Sequence, residues 1–190
     1  MADTGGEVKV LGFAGSLRKG SYNRAALQTA RELLPPGMTL EIFDLAPIPL
    51  FNEDVEREGF PSAVMEFKKH IAAADALLIA TPEYNYSIPG VLKNAIDWAS
   101  RPPGQSPLMG KPLAFMGAST GYFGTSRAQY HLRQVCVTLN MHPVNSPEVF
   151  ISGAASKFDE SGRLTDTMFR DGISKLLQAL QEWTIRLRGA

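Results

Sequence analysis

Three short runs of apolar residues, at positions 8–14, 76–81 and 113–118, constrain this chain more than any other feature. Apart from Lys9, they lack the polar–apolar alternation of a strand with one wet face. Continuous runs of this length suit strands buried on both faces of a parallel sheet. Leu40, Glu41, Ile42 and Phe43 alternate and read as a strand nearer an edge, and a fifth strand is expected around 142–150, its limits blurred by Pro143 and Pro147. Helical periodicity fills the gaps between strands. Leu27, Ala30 and Leu34 share one face, as do Phe60, Val64, Phe67, Ile71 and Ala74. The pattern returns at Ala128, Leu132, Val135 and Leu139, and again at Phe169, Ile173, Leu176, Leu180, Trp183 and Leu187. A further helix over 89–100 opens on Pro89, which a first helical turn tolerates.

Alternating strands and helices with short connections imply an α/β fold, a doubly wound parallel sheet with helices on both faces. Five strands admit a Rossmann-like or a flavodoxin-like arrangement, the latter with strand order 2-1-3-4-5. In both, ligands bind at the carboxyl ends of the strands, at the switch point. The 190 residues are expected to form a single domain, 1–190, with 1–6 as a flexible N-terminus. Lys plus Arg and Asp plus Glu balance at 19 each, so no basic field exists to hold nucleic acid. The apolar runs are too short to span a bilayer, and the first residues lack the basic start and apolar core of a signal peptide. No nucleic-acid or membrane partner is expected, and the localisation expected is cytoplasmic.

The loops after the first, third and fourth strands are rich in polar residues and glycine. The first, at 15–23, places Ser16, Arg18, Ser21, Tyr22 and Asn23 before a helix, where free N–H groups and the helix dipole favour an anion. It is not the ATPase P-loop, because Ser21 and Tyr22 stand where Lys and Ser/Thr are needed. It also lacks the Gly-x-Gly-x-x-Gly dinucleotide pattern, which leaves a terminal monophosphate. A plainer reading stays open, with Ser21 as a helix cap, Arg18 and Lys19 solvated, and Gly20 serving a turn. The second loop carries Pro82, Glu83, Tyr84, Asn85 and Tyr86, stiff and aromatic enough to face a flat heterocycle. The third, from Gly117 to Gly124, has small residues that permit close backbone approach.

The stretches 15–23 (Gly-Ser-Leu-Arg-Lys-Gly-Ser-Tyr-Asn), 82–87 (Pro-Glu-Tyr-Asn-Tyr-Ser) and 89–98 (Pro-Gly-Val-Leu-Lys-Asn-Ala-Ile-Asp-Trp) together resemble the NADPH-dependent FMN reductase family, in its quinone or chromate reductase branch. The resemblance, and nothing in composition or periodicity, brings in flavin. It implies the flavodoxin-like order and a bound FMN. Ser16, Arg18, Ser21, Tyr22 and Asn23 would hold its phosphate, Pro82, Glu83, Tyr84 and Asn85 would line its ring, and Ser119, Thr120 and Gly121 would reach the pyrimidine side. It further implies NADPH or NADH as electron donor and a small acceptor such as a quinone, chromate, an azo dye, a nitro compound or free flavin. On that reading one open ring face serves donor and acceptor in turn, in ping-pong fashion, and backbone N–H groups of 82–87 face the charge on the reduced ring. No side chain is assigned as catalytic acid or base. The rival is a flavodoxin-type electron carrier without its own NAD(P)H oxidation.

A homodimer or homotetramer is expected, with the helix over 89–99 and its Val91, Leu92, Ile96 and Trp98 as the twofold contact. Arg101, Arg127, Tyr130 and Glu148 are read as surface groups, with contacts between subunits as the alternative. His70, His131 and His142 are scattered without metal-ligand spacing, so no metal is expected. Cys136, the single cysteine, reads as packing rather than as a nucleophile.

Overall fold

The first strand, β1 (Val8–Ala14), decides where everything else lies. Side chains alternate along a strand, so Val8, Val10 and Ala14 enter one apolar cluster while Leu11 and Phe13 enter another on the opposite face. Both faces must therefore be covered. The computed structural model describes residues 6–189. Of the expected flexible stretch 1–6, all but Gly6 lies outside the described residues, and the Gly6 and Glu7 carbonyls accept hydrogen bonds from the Arg188 guanidinium at 3.2 and 3.1 Å.

After β1 come α1 (Tyr22–Glu32), β2 (Met38–Phe43), α2 (Glu53–Glu58), α3 (Ser62–Ala73) and β3 (Ala76–Ala80). Then follow α4 (Gly90–Ala99), β4 (Pro112–Ala118), α5 (Ser126–Thr138), β5 (His142–Pro143), β6 (Val149–Ile151), a 3-10 turn at Ala154–Ser156, and α6 (Thr167–Arg188). All strand pairs are parallel, in the order β2-β1-β3-β4-β5, with β6 also on β4. This is the flavodoxin-like order. Helices α1 and α6 cover one face through Leu27, Ala30, Ile173, Leu176 and Leu180. Helices α3, α4 and α5 cover the other through Phe67, Ile71, Leu92, Trp98 and Leu132.

Two expectations need correction. The fifth strand, expected over 142–150, is split: β5 pairs with the start of β4, and β6 with its end. Pro143 and Pro147 supply no N–H to a ladder, so continuous pairing is interrupted between them. The apolar residues of α4 expected at a subunit contact are also mostly internal: Leu92, Ile96 and Trp98 are buried within their own chain. Trp98 is wholly enclosed, edge-on to Phe51 at 4.9 Å, and its indole N–H donates to the Pro49 carbonyl at 2.9 Å. The ring is thus fully committed to the core. Cys136 is likewise buried, and that burial pushes its thiol pKa up to about 12.

Candidate functional site

Parallel strands deliver their carboxyl ends to one edge, so the loops after β1, β3 and β4 must meet there. Backbone hydrogen bonds lock them together. The Gly15 N–H donates to the Ala80 carbonyl at 2.9 Å, that of Thr81 to Met116 at 3.0 Å, and that of Ser119 to Ile151 at 3.0 Å.

The loop after β1 ends on Ser21, the N-cap of α1, whose hydroxyl accepts from the N–H groups of Asn23 and Arg24 at 3.2 and 3.3 Å. Ser21 is therefore the cap that the plainer reading expected. It nevertheless borders the cavity described below, so capping and ligand contact are compatible. The Asn23 carboxamide is occupied otherwise. Its amino group donates to the Ala118 carbonyl and its oxygen accepts from the Ala118 N–H, both at 2.9 Å. This two-way bond pins the start of α1 to the tip of β4, which makes Asn23 a brace of the cradle. The Arg18 guanidinium lies 5.3 Å from the centre of the Tyr22 ring, which packs in turn on Phe158.

In the loop after β3, Tyr84 and Ser87 exchange N–H···O bonds of 3.0 Å each and close a two-residue turn. Its central residues, Asn85 and Tyr86, are left-handed, with φ of 49° and 68°. Asn tolerates that conformation, whereas a tyrosine rarely adopts it. The N–H groups of Glu83, Asn85 and Tyr86 have no acceptor among the described residues. The Glu83 side chain is engaged by the start of α5. Its carboxylate accepts from the Arg127 and Ala128 N–H groups at 3.1 and 3.2 Å and pairs with the Arg127 guanidinium. Because Thr125, at the N-cap of α5, makes no side-chain cap, Glu83 caps that helix from another loop.

A cavity of about 360 Å³ unites these segments. Ser16, Arg18, Ser21, Tyr22 and Asn23 border it from the first loop, Pro82, Glu83 and Tyr84 from the second, and Ser119, Thr120 and the preceding Ala118 from the third. Asn85, at the turn tip, and Gly121 are exposed and do not line it. Larger hollows exist, one of about 710 Å³ between α4 and α5 and one of about 690 Å³ beside α1. Only the smaller one gathers all three loops at the sheet's switch point, and that convergence marks the site.

Arg127 is the neighbour that sequence reasoning placed on the surface. The signal was present, since a cation in the first turn of a helix opposes the helix dipole and needs an acid, and that turn holds none. Of the other surface groups, Arg101 pairs with Glu56 at 2.8 Å, and the Tyr130 hydroxyl donates to Glu148 at 3.4 Å within the chain.

Comparison with known proteins agrees with this arrangement. Residues 8–156 match the model of the NADPH-dependent FMN reductase family. The chain is 63% identical over 183 residues to an NAD(P)H-dependent FMN reductase of Pseudomonas aeruginosa, covering 96% of this chain and 98% of that relative. It is 46% identical over 188 residues to an NAD(P)H:quinone oxidoreductase of Solanum tuberosum, covering 96% and 95%. Among solved structures, FerB, a flavoenzyme NAD(P)H:(acceptor) oxidoreductase from Paracoccus denitrificans, superposes with a TM-score of 0.86 at 32% identity over 94% of this chain and 98% of that one. The chain belongs to the NADPH-dependent FMN reductase family.

Proposed function

We propose that this chain oxidises NADPH or NADH with FMN held in the cavity at the carboxyl ends of β1, β3 and β4, and passes the electrons to a quinone or another small acceptor. One observation carries the reading: three loops far apart in sequence converge on one cavity whose donors suit the two ends of FMN. At one end the first turn of α1, the buried Ser16 and Ser21 hydroxyls and the Arg18 guanidinium suit a phosphate monoester dianion. At the other, Pro82, Tyr84, Ser119 and Thr120 flank a slot for a flat ring. Among the charged side chains that border the cavity, Glu83 is neutralised by Arg127, so the uncompensated charge is that of Arg18.

Bound FMN would supply two-electron exchange with a nicotinamide and with a small oxidised acceptor. The chain's own residues position and stabilise. The free N–H groups of Glu83, Asn85 and Tyr86 are the donors available for negative charge at the slot. The half-exposed Tyr84 ring, which borders the slot, would shield one face of a bound flavin ring and leave the other to donor and acceptor. Donor and acceptor share that face in turn, so parallel initial-rate lines are expected. A second copy of the chain, as a homodimer or a dimer of dimers, would enclose the mouth further. We assign its contact to the α4–α5 groove, because Ser87 and Ile88 at the groove's rim continue the flavin loop. No helix among the described residues is long and apolar enough to cross a membrane, and the expected localisation is cytoplasmic.

An absorbance spectrum of the full chain mixed with FMN, followed by anaerobic NADPH titration, tests the reading. Retention of FMN through gel filtration and bleaching by NADPH alone are expected. Failure to retain FMN overturns the site, and retention without bleaching favours the electron-carrier alternative.

A further inference from the structure

We propose that Arg127 is a positioning residue that holds the turn at Asn85 and Tyr86 in its left-handed form, and thereby sets the free N–H groups of that loop against the ring of FMN. The inference rests on the reading of the cavity as an FMN site. It starts from an inconsistency in the turn. Two-residue turns of this kind favour Asn followed by Gly, because both central residues have positive φ. Here Tyr86 takes the second place with φ of 68°, a conformation strained for a bulky side chain. Something must make its ring worth keeping.

The contact of that ring is Arg127. The guanidinium carbon lies 3.7 Å from the centre of the Tyr86 ring and 4.6 Å from that of Phe123, so the cation is wedged between two aromatic faces. One belongs to the loop after β3, the other to the loop after β4. The same guanidinium pairs with Glu83, three residues before Tyr86. Its Nε is buried without an acceptor, so the group is held by its faces and one edge rather than saturated with hydrogen bonds. Arg127 itself sits in the first turn of α5, which is fixed to the core through Ala128 and Leu132. The turn is therefore gripped at both ends by a rigid element, at Glu83 through the ion pair and at Tyr86 through stacking. A lysine could keep the first contact but has no plane to lie between two rings.

The test compares Arg127→Lys, Arg127→Ala and Tyr86→Gly, and the double variant Tyr86→Gly/Arg127→Lys, by FMN titration of the full chain and by amide hydrogen exchange without FMN. Arg127→Lys keeps a charge for Glu83 and guards against loss of fold. Both Arg127 variants are expected to weaken FMN binding at least tenfold, with lysine giving little rescue. Glycine accepts positive φ, so Tyr86→Gly keeps the turn and loses the ring. In that background Arg127→Lys should weaken FMN less than threefold further. The Tyr84 and Ser87 amides, mutual partners across the turn, should exchange at least tenfold faster in Arg127→Ala. Unchanged exchange overturns the clamp whether or not FMN binds. Faster exchange with unchanged FMN affinity overturns its role in positioning, and a native chain that ignores FMN while the exchange result holds overturns the reading of the cavity instead.

Discussion

A glycine at the tip of β4 shows how little room the site leaves at the scale of one residue. A Cβ built on Gly117 would fall inside contact distance of the Thr125 hydroxyl and the Thr81 carbonyl, and 2.8 Å from the Thr125 Cβ. Both threonines are fully buried, so neither can swing away. Gly117→Ala must therefore push β4 from the loop after β3 or from the start of α5. Overpacking of this kind costs about 1–3 kcal/mol, and the loss should appear in urea unfolding together with weakened FMN retention. Unchanged stability would show that the strand tip is looser than its packing implies. The sequence displays the small residues of 117–124 and invites the idea that they admit a ligand. What Gly117 admits is Thr125 and Thr81, a fact that depends on neighbours 8 and 36 positions away. Asn23 is similar. Its place in the phosphate loop is legible, but its partner Ala118 lies 95 positions away, so the brace becomes visible only in the fold.

Elements follow the same rule: what is periodic can be read, and what is borrowed cannot. Helices α1, α3, α5 and α6 bury the middle of the stripes their spacing announces, because each has one sheet face to cover. Stripe residues toward the ends, such as Leu34, Phe60, Val135, Leu139, Phe169, Trp183 and Leu187, stay half-buried. Helix α2 buries no residue and so carries no stripe to detect. The start of α5 is the instructive case, since its cap comes from Glu83, 44 positions before Arg127. With its side chain only 6% exposed, that carboxylate satisfies two backbone donors and an arginine at once. Glu83→Gln keeps an acceptor for the helix but loses the charge, and should lower stability by about 1–2 kcal/mol. Glu83→Ala leaves Arg127 without its acid and also removes the acceptor that caps α5. Because Arg127 is 32% exposed, the expected loss is about 2–4 kcal/mol rather than that of a fully buried pair. Chemical denaturation of the two variants measures both, and equal losses would mean that the capping acceptor adds nothing beyond the charge.

For the whole molecule, the strand order follows from which strands can afford an edge. Strand β2 alternates buried and exposed residues and takes one edge, whereas β1, β3 and β4 are apolar enough to be central. Periodicity alone leaves the Rossmann-like arrangement open; the loop motifs, through family resemblance, exclude it. Neither reveals which helix faces outward. Burial of Leu92 and Trp98 removes them from any contact of α4 and leaves the groove it forms with α5, bordered by Ile88, Ile96, Val135 and Leu139. That groove holds about 710 Å³ and continues the rim of the cofactor loop, so a twofold partner seated there would bring two cavities near one seam. Gln134 stands exposed in it, outside both apolar clusters. Gln134→Arg therefore places a long charged chain in the seam without disturbing the core, and is expected to shift the proposed assembly to monomers in sedimentation velocity. A variant that sediments like an oligomeric parent would place the contact on another face, and a parent that is itself monomeric would show that the flavin is enclosed by one chain alone.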